Sequence, residues 1–579
     1  MPDTKTLFLN RQAGSHLFCS EIEDWQIHVS AQAGPSERYA AEEFQYWFEM
    51  TSGNRLTLTN TKTGDGQIQI ESAEGSTGVN QSESFQIEVA PDLVKITGQG
   101  VRGTLYGVYQ FLEDGLGVRF LTADHTHVPN FTQPDGADQT ISPRIPCGRF
   151  QYQPPFSFRW SYYKECSDRP EFAARLRVNT VTTKAKLGGK TPQNLINHSF
   201  HSLLPFSQYG DDHLEFYALV DGERDRNTHG GGPQLCVTNP EVIRITTESV
   251  IRQLHARPEL KNISVSQADT DRYCRCDNCE AINQQQGTPM GSQLAFVNLV
   301  AEKVELVHPE VKVGTLAYWY TRQAPKTTRP RQNVQVQLCS IECCTLHAID
   351  DPNCSKNRAF CQDMDQWGQI CDDIWVWNYN TNFKAYDLPF PNLRSIGPNV
   401  RYFLRNNAKG LFMQANGNGN SGELCDLRNH LISRLIWNPT LDDRKVLEEF
   451  ADLHYQQAAP SMIDYIDLIH DNAEATNRHP GCFPSAEEVG LTPEIVDRSL
   501  EHFDQAMAQA DNATVRQRVE KASISVYRAR IETAKDLTSS ERKDLIEQYI
   551  SLCQKHGQTR ASEHKEATVF FNELRSSLS

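Results

Sequence analysis

NISVSQAD (262–269), GSQLAFVNLVAEKVELV (291–307) and KVGTLAYW (312–319) follow one another along the chain. The outer two have strand length and strand composition, and the middle one repeats apolar residues at spacings of three and four. Together they predict strand, helix, strand. Strands joined through a helix lie parallel, because a tight hairpin cannot make that connection. The same rhythm continues outward on both sides. Further strands are predicted at FSFRWSYY (156–163), VNTVTTKA (178–185), FYALVD (216–221), VQVQLCSI (334–341), IWVWNYN (374–380) and KGLFMQAN (409–416). Eight parallel strands between residues 148 and 438 suit a (β/α)8 TIM-like barrel.

At 579 residues the chain is too long for one ordinary core. Residues 1–135 read as a small α/β domain, with strands WQIHVS, QIQIES, FQIEVA and LVKITG and helical patterns at 37–51 and 102–115. NFTQPDGADQTISPRIP (130–146) has the Pro, Gly, Asp and Asn of a linker. From 439 to 579 the pattern is helical, as in DDRKVLEEFADLHYQQAA and TPEIVDRSLEHFDQAMAQA. The fold class expected is therefore α/β, with a small N-terminal α/β domain, a central TIM-like barrel and a helical C-terminal region.

The formal charge of −16 repels a phosphate backbone, so nucleic acid is not an expected partner. No stretch reaches the roughly 20 apolar residues of a membrane span. MPDTKTLFLNRQAGSH lacks the basic and apolar regions of a signal peptide, which predicts a cytoplasmic protein, or a periplasmic or secreted one if an export signal has been trimmed. Nothing in the sequence sets an oligomeric state. The 16 cysteines are spread over a large chain and are expected to be mostly reduced and buried. Two groups stand apart: Cys274, Cys276 and Cys279 in a C-x-C-x-x-C array, and Cys339, Cys343 and Cys344. The array can donate three thiolates to a structural metal, with a fourth ligand from Cys236, Cys343 or a histidine. Buried thiols or a disulfide are the alternatives, and no cofactor is expected for catalysis.

GQGVRG (98–103) fits a dinucleotide fingerprint, with Asp124 further on. The preceding strand, however, reads as the second arm of a hairpin turned at Pro91-Asp92, so the glycines are assigned to a tight strand-to-helix turn. LGGKT (187–191) lacks the first glycine of a P-loop, and neither H-E-x-x-H nor G-x-S-x-G occurs.

In a parallel barrel the chemistry sits at the C-terminal strand ends. Asp269 ends the fourth predicted strand and Glu342 the sixth, a placement that suits the two carboxyl groups of glycosidic cleavage. The plain alternative is that Asp269 or Asp271 caps a loop and Glu342 pairs with an arginine. Other strand ends carry His198, His201, Tyr318, Trp319, Trp375, Trp377, Asn378, Tyr379, Asn380, Gln414 and Asn416. Aromatic faces stack on sugar rings, and amides or imidazoles bond hydroxyls. Substrate contacts are expected from His198, His201, Tyr318, Trp319, Trp377, Asn378, Gln414 and Asn416. Trp375 and Trp377 share a face that core packing alone could explain.

ITGQGVRGTLYGVYQFLEDGLGVRFL (96–121) resembles the accessory α/β domain that precedes the barrel in beta-hexosaminidases and alpha-glucuronidases. SVSQADTDRYCRCDNC, AYWYTRQAP and LFMQANGNGNSGELCDLRNHLISRLIWNP resemble the bacterial domain-of-unknown-function family 4838, which includes glycoside hydrolase family 163. The resemblance implies a hydrolase of N-acetylhexosamine-containing glycans, beta-N-acetylglucosaminidase-like, with endo and exo action both open. It further implies a retaining reaction assisted by the substrate's acetamido group. Asp269 then orients the acetamide and Glu342, matched by strand position, is acid and base, with Asp271, Glu165, Glu215 and Glu423 as replacements. Two alternatives stay open. A uronic-acid-specific, glucuronidase-like hydrolase would use cations such as Arg159, Lys184 and Lys186 at the barrel mouth. A non-catalytic glycan-binding protein would keep the aromatics without a working acid.

Overall fold

The computed structural model describes residues 10–62, 66–73, 82–131 and 144–578. Most of the expected linker, 132–143, and the expected domain limit at 135 lie outside them. The first sheet has seven strands in the order Asn10–Phe18, Arg144–Tyr152, Phe85–Ala90, Leu93–Gly98, Gln67–Ser72, Gln26–His28, Thr57–Thr59. Phe85–Ala90 and Leu93–Gly98 form the expected antiparallel hairpin, and Leu93–Gly98 runs parallel to Gln67–Ser72. A Cβ on Gly98 would overlap the Thr104 backbone nitrogen, and one on Gly103 the Ser84 carbonyl oxygen. These glycines let the helix Gly103–Leu116 start directly on the sheet. That helix and Pro35–Ser52 pack together over the sheet. The sheet also takes the strand Arg144–Tyr152, which starts within the last residues of the expected linker.

The central sheet is parallel throughout, in the order Phe158–Tyr162, Ala408–Gln414, Ile374–Tyr379, Val334–Cys339, Lys312–Ala317, Asn262–Ser264. It curls into a half-barrel rather than closing. Two of the eight predicted strands are absent from it among the described residues. FYALVD ends in the two-residue turn Asp221-Gly222, where both residues have positive φ, and Leu219–Val220 pairs back on Glu223–Arg224. The Asp-Gly dipeptide is a hairpin signal, and the local turn wins over the sheet. VNTVTTKA forms no ladder. The Asn179 side chain within it accepts from Arg159 N (3.0 Å) and donates to Glu83 Oε1 (3.1 Å).

The open edge at Asn262–Ser264 is covered by residues 192–200, held mainly through side chains. Asn194 N donates to Asn262 Oδ1 (2.7 Å), Asn197 N to Ser264 Oγ (3.0 Å), and Phe200 N to Ser266 O (3.1 Å). Ile196 fills the space that Gly314 leaves on the neighbouring strand. Edge groups are thus satisfied without a regular seventh strand.

The concave face is packed with Phe158, Trp375, Phe412, Tyr379, Leu316 and Ile196. The opposite face packs against the helices Met290–Val307, Ser355–Gly368 and Leu393–Arg405. Beyond Trp437 come six further helices, from Asp443–Tyr455 to Ala567–Ser576, as expected from the apolar spacing. One element there departs from the helical expectation: the short hairpin of Arg560–Ser562 and Lys565–Glu566. Its tip reaches the mouth of the half-barrel. All 16 cysteines are free thiols, 13 of them buried.

Candidate active site

Asp269 leaves the end of the fourth predicted strand and is held by a neighbouring loop rather than by its own sheet. Its amide donates to Gly230 O (2.7 Å). Gln234 acts as a substitute strand, its Nε2 donating to Ala268 O (2.8 Å) and Thr270 O (2.6 Å) while its Oε1 accepts from Ala268 N (2.9 Å). Gly230 has φ +63°, and a Cβ there would overlap the Asp269 carbonyl oxygen, so only glycine permits this approach.

The Asp269 carboxylate is half exposed at the mouth. Tyr318 Oη donates to its Oδ1 (3.0 Å), and His198 Nε2 lies 3.8 Å from the same oxygen. His198 is oriented from behind, its Nδ1 2.7 Å from Gln267 O. Burial, with the charge and hydrogen bond of Asp269 added, pushes the Tyr318 phenol well above its usual range and keeps it a donor.

A second carboxyl group reaches the mouth from the C-terminal region, close enough for the Asp269 charge to act on it. Glu563 sits at the tip of the hairpin, its amide donating to Phe383 O (3.0 Å) and its carbonyl accepting from Asn418 Nδ2 (3.0 Å) and Arg560 Nη1 (2.8 Å). Its Oε1 accepts from Gln414 Nε2 (3.3 Å), and Gln414 Oε1 accepts from Trp377 Nε1 (2.6 Å). Burial raises the Glu563 pKa, and the Asp269 charge adds to this against the opposing effects of His564, Gln414 and Arg560. Tyr162, at the end of the first central strand, is raised by burial and then by Glu563.

Glu342 makes the contact of the plain alternative. Its Oε2 lies 2.7 Å from Arg322 Nη1, whose Nε in turn bonds Asp363 Oδ2 (2.6 Å) on the helix Ser355–Gly368. Of the possible replacements, Glu423 is buried against Arg428 (2.5 Å), and Glu215 pairs with His213 (3.1 Å) at the surface. Glu165 lines a separate cavity of about 330 Å³ with Asp426, Lys521 and Asn416. Its carboxylate accepts from Ala123 N (2.6 Å) and Asn429 Nδ2 (3.0 Å).

The expected sugar contacts separate in the same way. His198, Tyr318, Trp377 and Gln414 gather around Asp269 and Glu563. Trp319 stands on the rim, 45% exposed with φ +55°, an uncommon backbone state for a bulky residue. His201 is exposed beside Gly231. Asn378 is placed on the opposite face of its strand by the period of two, and donates there to Ser340 Oγ (3.0 Å). Asn416 is buried, bonded to Gly419 O (3.4 Å). Trp375 belongs to the core, as does Tyr379.

The cations named for uronic-acid recognition are elsewhere. Arg159 is fully buried and bonds Glu83 (2.5 Å), while Lys184 and Lys186 bond Glu171 (2.8 and 3.3 Å). A cavity of about 580 Å³ lined by Lys261, Lys312 and Lys409 lies at the N-terminal strand ends, opposite the mouth.

The three array cysteines are joined by Cys236, their four sulfurs lying within 4.8 Å of one another, with Cys236 and Cys276 3.6 Å apart. Cys343, the other candidate thiol, is buried among apolar side chains. Four convergent thiols have the donor set and closure of a tetrahedral structural zinc site. Cys236 and Gln234 share one loop, and Asp269 and Cys274 share the other, so the cluster and the Gln234 contacts hold the same two segments together.

Neither the hairpin tip nor Glu563 had a local signal in the sequence. TRASEHKEA is short and charged, and its partners Phe383, Asn418 and Gln414 lie more than 140 residues away.

Residues 139–467 match the family described as Domain of unknown function (DUF4838). No curated protein sequence matches the chain. Among solved structures, the chain is similar to a family GH115 4-O-methyl-alpha-glucuronidase with specificity for decorated arabinogalactans, at 10% identity and TM-score 0.55, covering 92% of this chain and 76% of that one. A Flavobacterium johnsoniae chitobiase (12% identity, TM-score 0.45, 98% and 97% covered) and a GH20 beta-N-acetylhexosaminidase from Streptomyces coelicolor A3(2) (12%, 0.42, 77% and 94%) also match. The GH115 likeness is one of fold.

Proposed function

The chain belongs to the family Domain of unknown function (DUF4838), and on that footing we propose that it is a glycoside hydrolase acting at the mouth between Asp269 and Glu563. The observation that carries the reading is the Tyr318–Asp269 pair at the mouth, to which the Glu563 hairpin brings a second carboxyl group, one with a raised pKa. A hydroxyl donor beside a carboxylate acceptor is the complement of an amide, whose carbonyl accepts and whose N–H donates. An N-acetylhexosamine offers that amide next to its anomeric carbon. The fold shared with the GH115 alpha-glucuronidase supports the reaction class.

In the proposed reaction Glu563 protonates the departing glycosidic oxygen while the acetamido oxygen attacks the anomeric carbon. Asp269 accepts from the acetamido N–H and favours the cyclised cation. Glu563, now a carboxylate, takes a proton from water as its oxygen opens the ring of the intermediate, and configuration is retained. Trp377, Gln414 and His198 contact sugar hydroxyls and faces. The four-cysteine cluster holds zinc as a structural ion and takes no part in the chemistry. The carbohydrate is the expected partner.

The test is a screen of chromogenic N-acetylglucosaminides, glucuronides and complex N-glycans with wild type, Asp269→Asn, Glu563→Gln and Glu342→Gln. N-acetylhexosaminide cleavage is expected, falling about 10²–10⁴-fold in the first two variants and little in the third. Unchanged activity in both Asp269→Asn and Glu563→Gln would sink the site. Glucuronide cleavage alone would favour the uronic-acid reading. Glycan binding with no turnover would make the protein a binding module.

A further inference from the structure

The loop that leaves the Val334–Cys339 strand carries Cys344 and His347, three residues apart. Cys354 follows as the N-cap residue of the helix Ser355–Gly368. A fourth group, His479, arrives from the segment joining the helices Ala459–Ala475 and Pro493–Gln509. One donor atom from each of the four lies within 4.8 Å of all the others. Cys344 Sγ is 3.2 Å from His347 Nδ1, and Cys354 Sγ is 3.3 Å from His479 Nδ1. The two imidazoles lie face to face with centroids 4.4 Å apart, and both sulfurs are buried.

We propose that Cys344, His347, Cys354 and His479 form a second, Cys2His2 metal site that takes a zinc ion and ties the C-terminal helices to a mouth loop of the half-barrel. Two thiolates and two imidazoles are a zinc donor set. A tetrahedral ion with bonds of about 2.3 Å to sulfur and about 2.0–2.1 Å to nitrogen spaces its ligand atoms roughly 3.3–3.8 Å apart, close to the observed distances.

Two independent thiol–imidazole hydrogen bonds would explain each pair. They would not explain why both pairs point at one centre, or why the backbone around them is held so fully. Buried Asn357 accepts from Cys344 N (2.8 Å) and donates to the carbonyl oxygens of Cys344 (3.2 Å), His347 (3.4 Å) and Ala348 (3.0 Å). Across the gap, Lys356 Nζ donates to His479 O (2.7 Å) and Thr345 N to Pro480 O (3.1 Å). Outer contacts of this kind fix ligand orientation. Binding such an ion releases the thiol protons and adds its affinity to folded-state stability. Three residues beyond His479, Cys482 O accepts from Phe383 N (2.9 Å), beside the loop on which the Glu563 hairpin rests. The proposal does not depend on the reaction assigned to the mouth.

Metal content of tag-free protein expressed with zinc and purified without chelator tests it. The expected result is two zinc ions per chain, one lost in His479→Gln and the other in Cys276→Ser. X-ray absorption of Cys276→Ser should then report two sulfur and two nitrogen ligands. A single zinc per chain that disappears in His479→Gln would support the site equally. Zinc content unchanged by His479→Gln, absence of zinc from the wild type, or a Cys344–Cys354 disulfide in a non-reducing peptide map would overturn it. Should a variant fail to fold, the stoichiometry and absorption spectrum of the wild type still decide: a chain with no zinc, or with one zinc in an all-sulfur shell, overturns the site.

Discussion

A carboxyl group serves as a general acid when its surroundings favour the neutral form, and Glu563 has such surroundings. Glu342 pairs with the Arg322 guanidinium, whereas Glu563 is part buried and within reach of the Asp269 charge. Because the Glu563 pKa is raised, its proton persists to higher pH than usual, and kcat/KM should fall as pH rises through that pKa. A pH–rate profile of Glu563→Gln should lack this alkaline limb in whatever activity remains. Trp319, exposed and strained, has little structural reason for its position. Trp319→Ala should raise KM several-fold with kcat little changed and leave stability equal or slightly higher. Glu165 is pushed up to about 7 by burial and then by Asp426. The folded state therefore holds that proton more tightly than the unfolded chain does. Stability from this group is present below the ordinary carboxyl value of 4.5 and is lost as pH rises towards about 7. Thermal denaturation of Glu165→Gln across that window should show a flatter profile than wild type.

Two elements depend on glycine at one backbone atom each. Gly98→Ala pushes a Cβ into the Thr104 amide and should cost about 1–3 kcal/mol or more in urea unfolding. Gly230→Ala acts locally, since its Cβ would strike the Asp269 carbonyl at a position with φ +63°. It should lower activity while zinc content stays unchanged, measured side by side on the same preparation. The segment 192–200 shows how an element can be present without its usual ladder. The side chains of Asn262 and Ser264 bond the backbone of Asn194 and Asn197, in place of bonds a seventh strand would have made through backbone alone.

The whole molecule assembles its mouth from distant pieces. Asp269 comes from the half-barrel, Gly230 and Gln234 from a preceding loop, and Glu563 from a hairpin near the C-terminal end. If the four-cysteine cluster holds zinc, chelation should loosen the loops together. Hydrogen exchange should then rise at 218–239 and 269–279, with a lower Tm, while the first sheet stays protected.

The parallel strands, their helices and the hairpin before Gly98 were legible because each is written in local periodicity and turn chemistry, and those forces act over a few residues. The position of Asp269 on the loop after a strand was legible for the same reason, although the ladder stops at Ser264, five residues before it. The Asp221-Gly222 turn was also written in the sequence, although strand-like FYALVD masked it. What the local pattern could not specify were pairings across long separations: Cys236 with the C-x-C-x-x-C array, His479 with Cys344, Arg322 with Glu342, Glu563 with Gln414. Which of several chemically suitable side chains meets another depends on how helices and sheets pack. That is decided by burial and shape over the whole chain rather than by any stretch of it.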